Sequence, residues 1–377
     1  MRLCAMLLIM AALVAVHASQ AHAEDTDDWP SFRGSSEMTG VAASALPADL
    51  EIVWTHEAGS AVESTAAIVG DRVYVGTQKG EVLCLDLADG SLKWTFDAAD
   101  SVTASPCVAG GTVYVGDESG LFYALNAADG KKLWQFPVKA KIISSATPAP
   151  GVVLFGSYDA HLYCLDAKTG EQKWAFKADS FVHGSPCVAG GQAVIAGCDG
   201  QVRFIEVDSG KQAAVAATDR NFAACAAYDN GHVYVGDMSG RYRKIACKNG
   251  AIAWDVEDKT GGSCYAGAAI DGDALVFTSR GRAVFRANTG NGEVVWRVAV
   301  KGTVDSSPVI AGDAVYVGAS DGNIYAFRLS DGDEVWRFEA GAAVTASPAV
   351  ARGRLVIGTA DGAIYCFGRK PKADADK

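Results

Sequence analysis

Seven tryptophans recur at an almost constant spacing in this chain of 377 residues. Successive members are 40 or 42 residues apart, except where Ala214 replaces one of them: Trp54, Trp94, Trp134, Trp174, Trp254, Trp296 and Trp336. The motif VYVG also returns, at positions 73, 113, 233 and 315. A fixed period in this range indicates a repeat architecture, in which each unit buries its apolar face against the next.

Each unit divides into four short strands joined by tight turns. In the second unit the predicted strands are Val102–Val108, Thr112–Gly116, Leu121–Leu125 and Lys132–Phe136. The turns between them contain Gly110-Gly111, Ser119-Gly120 and Asp129-Gly130, residue types that tolerate a positive φ. Runs rich in valine and aromatic residues favour strand over helix.

A repeated four-stranded unit of this length predicts the blades of a β-propeller. Second strands occur eight times, near Val73, Val113, Val153, Val194, Val233, Leu275, Val315 and Leu355. The eighth unit stops after its third strand, whereas Ile52-Val53-Trp54 is a fourth strand with no unit before it. We therefore predict an all-β, eight-bladed propeller of four-stranded antiparallel blades over residues 49–370, closed into a ring by the N-terminal strand.

The seven tryptophans of the series are expected to be structural, docking each blade against its neighbour. An indole buries roughly 150–250 Å², and a preceding glycine leaves room for a flat ring to lie against the backbone. Blade four has Ala214 instead. If that blade packed like the others, the missing indole would cost about 3–5 kcal/mol.

The two termini do not belong to the repeat. Residues 1–23 have the pattern of a signal peptide, with the apolar run Ala5–Val16 and an A-x-A cleavage site ending at Ala23. We expect a periplasmic or secreted protein with no transmembrane segment. Residues 24–48 are an N-terminal extension whose Trp29 and Phe32 are expected to clamp onto the ring, and the charged tail 371–377 is expected to be disordered.

Charge and cysteine usage limit the function classes. The net charge of −11 argues against a nucleic-acid partner. The four histidines after the signal peptide are not spaced as metal ligands, so no metal site is predicted. Most cysteines share strand phases and are assigned to the core. Whether Cys198, Cys225, Cys247 and Cys264 form disulfides stays open from the sequence.

The run Leu165–Gly170, followed by Trp174, resembles the tryptophan-docking repeat of PQQ-type (quinoprotein) propellers. Leu85–Trp94 and Leu125–Trp134 are similar, and the resemblance covers about residues 51–370. It implies the propeller fold and either of two activities. One is PQQ-dependent dehydrogenation; the other is a non-enzymatic role like that of the propeller lipoprotein of the outer-membrane β-barrel assembly machine.

This chain lacks residues that the implied enzymatic activity would need. Alcohol-oxidising quinoproteins carry a vicinal Cys-Cys disulfide and a tryptophan floor for the quinone, and this chain has no Cys-Cys pair and only Trp29 outside the blades. An aspartate base with a Ca²⁺ site of Glu, Asn and Asp cannot be assigned. No catalytic residue and no cofactor are predicted, and PQQ with Ca²⁺ is disfavoured.

Two surfaces are candidate binding sites. The first, the channel-mouth ring, lies three residues before the proline position of each first strand: Glu63, Thr103, Ile143, His183, Ala223, Tyr265, Asp305 and Thr345. Its polar and aromatic members are candidates for binding a ligand, although ordinary solvation of a wet channel is an equal interpretation.

The second surface, the basic sector, lies where the repeat is least regular, around the insertion at residues 259–265. Its members are Arg203, Arg220, Arg241, Tyr242, Arg243, Lys244, Arg280 and Arg282. They could bind an acidic partner or a polyanion, or form a solvated face without a partner.

The interpretation that the sequence favours is an exported monomeric propeller that binds another envelope or secreted protein as a scaffold for assembly. The alternatives are a PQQ-dependent dehydrogenase and a module that binds carbohydrate or polyanions. The scaffold role rests on analogy between folds.

Overall fold

The computed structural model describes residues 27–257 and 262–370. The expected signal peptide, its cleavage site at Ala23 and the tail 371–377 lie outside the described residues, as does part of the insertion. The described chain forms 32 strands and, within those ranges, no α-helix. Each strand has three to seven residues. The second and third strands of a blade are buried on both faces, as in blade two, whereas the outermost strand alternates between exposed and partly buried residues.

The first strand, β1 (Glu51–Glu57), precedes the blades. Blade one contains β2 (Ala67–Val69), β3 (Arg72–Gly76), β4 (Glu81–Asp86) and β5 (Leu92–Asp97). Blade two contains β6 (Cys107–Ala109), β7 (Thr112–Gly116), β8 (Leu121–Asn126) and β9 (Lys132–Pro137). Blade three contains β10 (Thr147–Ala149), β11 (Val152–Gly156), β12 (His161–Asp166) and β13 (Gln172–Lys177). Blade four contains β14 (Cys187–Ala189), β15 (Gln192–Ala196), β16 (Gln201–Glu206) and β17 (Gln212–Ala217).

The second half of the ring repeats this order. Blade five contains β18 (Ala227–Asp229), β19 (His232–Gly236), β20 (Arg241–Ala246) and β21 (Ile252–Glu257). Blade six contains β22 (Ala269–Asp271), β23 (Ala274–Ser279), β24 (Ala283–Asn288) and β25 (Val294–Ala299). Blade seven contains β26 (Val309–Ala311), β27 (Ala314–Gly318), β28 (Asn323–Arg328) and β29 (Glu334–Glu339). Blade eight contains β30 (Ala349–Ala351), β31 (Arg354–Gly358) and β32 (Ala363–Gly368).

The N-terminal strand completes the last blade. β1 pairs antiparallel with β32, from Glu51 opposite Gly368 to Glu57 opposite Ala363, and the sheet order is β1-β32-β31-β30. The other seven sheets each pair consecutive strands. The predicted eight-bladed propeller and its closure by the N-terminal strand are confirmed.

The innermost strands are shorter than the sequence predicts. The strand predicted over Val102–Val108 is regular only over Cys107–Ala109. The residues before it form an extended connection that faces the channel, where Ser105 bonds to neighbouring blades instead of to its own sheet. The apolar pattern therefore marked a buried segment but overestimated the length of its sheet pairing.

Contacts between blades make up the core, and the tryptophans contribute to most of them. Six of the seven indoles of the series donate Nε1–H to a carbonyl of the next blade, as Trp94 does to Ala127 at 3.1 Å. A Cβ added at Gly130 would lie 2.6 Å from the ring of Trp94, so the indole lies directly on glycine backbone. Buried valines and tyrosines of adjoining blades surround these contacts.

Blade four closes the space that a missing tryptophan would leave. A Cβ at Gly250, in the corresponding turn of blade five, would lie 2.4 Å from the carbonyl oxygen of Val215. The backbones of the two blades thus meet directly beside Ala214. Blade four therefore does not pack like the others, and the cost that was conditional on such packing does not apply.

Candidate functional site

The N-terminal segment, residues 27–48, closes one end of the central channel. It passes around the inner strands and exchanges backbone hydrogen bonds with six blades: Trp29 with Ile68, Pro30 with Val108, Ser36 with Val188, Glu37 with Tyr228, Thr39 with Ile270, and Gly40 and Ala42 with Ile310. Asp28 and Ser44 bond to the inner turns of blades one and eight. The expected clamp is more extensive than two aromatic contacts, because the segment occupies the free edges of the inner strands.

Arg33 is the most deeply inserted side chain of this segment. It is 1% exposed, and its guanidinium donates to the carbonyl oxygens of Pro308 and Ala268. Its Nε has no hydrogen-bond partner among the described residues. Burial lowers the pKa of Arg33 to about 10, so the group is a cation at neutral pH.

A belt of serines surrounds the channel at the level where the connections enter the inner strands. Each serine Oγ accepts a backbone N–H from the preceding blade at 2.9–3.1 Å: Ser105, Ser145, Ser185, Ser307 and Ser347, which we call the serine belt. Blades five and six have Cys225 and Gly267 at these positions. Arg33 lies beside this gap in the serine belt, since a Cβ at Gly267 would be 3.4 Å from its Nε.

A cavity of about 170 Å³ lies at the other end of the channel. All eight residues of the channel-mouth ring line it, together with the serine belt, Thr65, Cys225, Gly267 and Phe32 of the N-terminal segment. The structure therefore brings together every residue of the first predicted site. Whether the candidates Glu63, Thr103, His183, Tyr265, Asp305 and Thr345 bind a ligand stays a prediction.

An aromatic cluster stands on one side of the cavity mouth. Tyr158 stacks on Phe181 with ring centroids 4.8 Å apart, and its hydroxyl lies 2.6 Å from Nδ1 of His183. Lys141 lies over the ring of Tyr158, with Nζ 4.9 Å from the ring centroid. Burial, followed by the charge of Lys141, lowers the pKa of His183, so this imidazole is neutral at pH 7 and shares a hydrogen bond with the tyrosine hydroxyl.

A second aromatic contact lies at the mouth between blades six and seven. The guanidinium of Arg280 lies 3.6 Å from the ring centroid of Tyr265 and forms two hydrogen bonds with Asp305, at 2.7 and 2.9 Å. The carboxylate of Asp305 is thus neutralised within the ring. Glu63 is exposed to solvent at the rim.

The second predicted site does not form one accessible surface. Arg203, Tyr242 and Arg243 are at most 3% exposed. Arg203 pairs with Asp199 and Asp179, both at 2.7 Å. No partner could reach these three side chains in the folded protein, so the basic sector is smaller than predicted.

The remaining members are nearer to the surface but most are already engaged. Arg241 pairs with Asp255 at 2.8 Å and Glu257 at 3.1 Å, and Lys244 donates to the carbonyl of Thr289. Arg220 and Arg282 are exposed. Binding of an acidic partner by these residues stays a prediction. Fewer of their charges are unpaired than the sequence suggested.

Sequence reasoning missed the serine belt and Arg33. The belt had a signal, since Ser105, Ser145 and Ser185 repeat at 40 residues and Ser307 and Ser347 repeat it again. Arg33 had none, because it lies in a segment that does not repeat. Cys225 and Gly267 mark its position only once the belt is known.

In the part of the chain that the structure describes, no group of three or more His, Cys, Asp or Glu side chains could hold a metal ion. The cysteines of the same residues are free thiols, which answers the open question about Cys198, Cys225, Cys247 and Cys264. Residues 27–257 and 262–370 include no helix that is long and apolar enough to cross a membrane.

Solved structures share this fold at low sequence identity. BamB from Moraxella catarrhalis is 20% identical, with a TM-score of 0.74 over 86% of this chain and 99% of that one. Quinohemoprotein alcohol dehydrogenase from Comamonas testosteroni is 16% identical, with a TM-score of 0.81 over 94% and 83%. The computationally designed Ika8 protein is 17% identical, with a TM-score of 0.77 over 85% and 100%. These similarities establish the fold alone.

Sequence comparison identifies a family. No curated protein matches the chain. The model for the family described as outer membrane protein assembly factor BamB matches three overlapping segments, residues 40–157, 138–257 and 243–371. Together they cover all eight blades and the end of the N-terminal segment. The chain therefore belongs to the family described as outer membrane protein assembly factor BamB.

Proposed function

We propose that this protein is an exported, non-enzymatic propeller of the cell envelope that binds another protein and supports its assembly. Membership in a family described as an assembly factor favours this role. The observation that carries the proposal is the aromatic cluster at the cavity mouth. Phe181 is 50% exposed although it is stacked on Tyr158, so one face of an aromatic ring in a fixed stack is open to a partner.

The composition of the mouth agrees with a protein-binding surface. Interface centres are enriched in aromatic residues, methionine and arginine. Besides Phe181, this end of the ring has Met238, which is 40% exposed, and the stacked pair of Tyr265 and Arg280. Rigid aromatic side chains lose little conformational entropy on binding, which favours them as anchors.

The residues present do not fit a quinone cofactor. PQQ is a tricyclic tricarboxylate bound with Ca²⁺, and the cavity of about 170 Å³ is below the roughly 300 Å³ at which pockets that enclose ligands of that size begin. No tryptophan lines the cavity, and Asp305, one of its two carboxylates, is already paired with Arg280. We therefore propose that the protein works without PQQ.

Capture from envelope extracts tests the proposal. The purified chain is cross-linked to the extract, and the captured proteins are identified and quantified. We expect one partner at stoichiometric amounts, and Phe181→Ser should reduce its capture at least tenfold. Val294→Ser is the matched control, because Val294 is 56% exposed on the outer strand β25, away from the mouth.

Two results would contradict the proposal. Equal capture by the chain and by Phe181→Ser would remove the mouth from the binding surface. Stoichiometric binding of PQQ in the presence of Ca²⁺, with reduction of a dye by alcohols or aldose sugars, would replace the scaffold with a dehydrogenase. A calorimetric titration on the same preparation measures that alternative.

A further inference from the structure

The serine belt presents hydroxyl groups whose hydrogens are unused. Ser105, Ser145, Ser185, Ser307 and Ser347 are each at most 7% exposed, and every Oγ is fixed as the acceptor of a backbone N–H. A hydroxyl that accepts in this way keeps its own O–H free to donate. Within the described residues none of the five donates a hydrogen bond, and all five line the cavity. The floor of the cavity therefore has five hydroxyl groups that can still donate a hydrogen bond.

A buried positive charge lies directly behind this ring. The guanidinium of Arg33 is bonded only to carbonyl oxygens, and it forms no ion pair with a carboxylate of the described chain. Gly267 and Cys225, which both line the cavity, lie next to it, since a Cβ at Gly267 would be 3.4 Å from Nε and 2.4 Å from Sγ of Cys225. A buried charge without a counter-ion is costly. It also makes the potential at the adjoining floor positive, because the surrounding protein screens it weakly.

One further hydroxyl points to a ligand. Thr345 is one of the residues that line the cavity, and its Oγ1 is buried with no hydrogen-bond partner among the described residues. Buried polar groups are nearly always paired, by protein or by a bound species. The carboxylates at the mouth do not oppose a negative ligand strongly, because Asp305 is paired with Arg280 and Glu63 is exposed to water.

We propose that the floor of the cavity binds a small oxyanion, with the serine belt donating to its oxygens and Arg33 supplying the compensating charge. The volume of about 170 Å³ equals that of five or six water molecules at roughly 30 Å³ each. It fits inorganic phosphate, sulfate or a short carboxylate. The oxyanion could be free or the terminal group of a small organic molecule, and the assay separates these two sources.

Calorimetric titration of the folded full chain tests the site. Inorganic phosphate, sulfate, acetate and glycerol phosphate are the probes, at constant ionic strength with chloride as the reference. We expect one oxyanion per chain and a rise in melting temperature that follows its concentration. Equal affinity for phosphate and glycerol phosphate assigns the site to a terminal group, whereas loss of glycerol phosphate binding assigns it to the free ion.

Two variants identify the residues responsible. Arg33→Met removes the charge and the double variant Ser145→Ala/Ser307→Ala removes two donors; each should weaken binding at least tenfold. Arg328→Met and Ser101→Ala are matched controls, because both side chains lie outside the cavity and bond elsewhere. If Arg33→Met does not fold, the serine variant decides the result.

The proposal would be overturned by either of two results with a chain whose cooperative melting shows it to be folded. One is the absence of binding heat and of stabilisation with every oxyanion at tens of millimolar. The other is binding that both variants leave unchanged. Neither result bears on partner capture through Phe181, so the two proposals can fail separately.

Discussion

Blades two and five place different side chains at the same point of their third strands. In blade two, Tyr123 donates its hydroxyl to Asp117 at 2.9 Å. In blade five, Arg243 donates to Asp237 at 2.6 Å, and this carboxylate is fully buried like that of blade two. In each case the carboxylate orders the turn between the second and third strands by accepting backbone N–H groups. A residue that looked like a surface charge is therefore the structural equivalent of a tyrosine.

Interfaces between neighbouring blades also make the same contact with different atoms. Trp174 lies against Gly210 and donates to the carbonyl of Val207 at 2.7 Å. One blade further, Gly250 meets the backbone at Val215 with no indole between them. Irregular blades thus keep the contacts of regular ones through different atoms, and loss of a repeat residue does not by itself indicate a binding surface.

Reversing the charge of Arg243 should have the largest effect. Arg243→Glu leaves Asp237 buried, unpaired and facing a second carboxylate, so we expect a loss of about 3–5 kcal/mol or more in unfolding free energy. Tyr123→Phe should lose only about 1 kcal/mol, because turn N–H groups still bond to Asp117. Urea denaturation compares the two. Equal losses would show that the buried Asp237 does not depend on the charge of Arg243.

Restoring the missing tryptophan should destabilise the ring. Ala214→Trp must separate backbones that are already in contact at Gly250, and overpacking of this kind costs about 1–3 kcal/mol. The midpoint of urea unfolding should fall relative to the parent chain. Ala214→Leu, which adds less volume, is the control for changes in composition. A higher midpoint for Ala214→Trp would mean that blade four retains a slot for the indole.

The two interruptions of the serine belt should respond differently to restoration. Gly267→Ser brings a Cβ within 2.4 Å of Cys225 Sγ and beside Arg33, so we expect a loss of about 1–2 kcal/mol. Cys225→Ser is nearly isosteric and places a hydroxyl in register to accept the Ser185 amide. Its change in unfolding free energy should stay within about 1 kcal/mol. The reverse order would contradict the role given to Arg33.

The smallest effect concerns pH at the mouth of blades three and four. The pKa of His183 is lowered by burial, so the unfolded chain takes up this proton at a higher pH than the native one. Stability should therefore fall as pH decreases below about 6.5. His183→Gln should flatten this part of the pH profile, measured as unfolding free energy between pH 7 and 5.5. His232→Gln is the control, because His232 is a partly exposed histidine at the start of β19 in blade five.

The fold could be predicted because repetition multiplies weak signals. A single run such as Thr112–Gly116 is ambiguous, but eight such runs in one phase define blades, and the phase also brought the channel-mouth ring together. The inner strands were overestimated because their first residues are buried against the channel and not against a sheet. Burial produces the same apolar pattern in both cases.

Two arginines of the basic sector are buried because each has a carboxylate partner, which the distribution of charge along the sequence does not show. Asp199 and Asp237 precede Arg203 and Arg243 by only four and six residues, yet the turn that returns each carboxylate to its arginine is visible only in three dimensions. The N-terminal segment was beyond prediction for another reason. Its hydrogen bonds reach inner strands from one side of the ring to the other, and no local pattern encodes such pairings.

The pairing of β1 with β32 has a consequence for the order of events in folding. It joins segments from opposite ends of the described chain, so the ring cannot close until nearly all blades have been synthesised. Contacts of such separation form late, since the entropy of closing the intervening loop must be overcome first. Blade eight is therefore the place where the ring closes. Amide hydrogens of β1 should exchange with solvent before those of the consecutive strands of blade two.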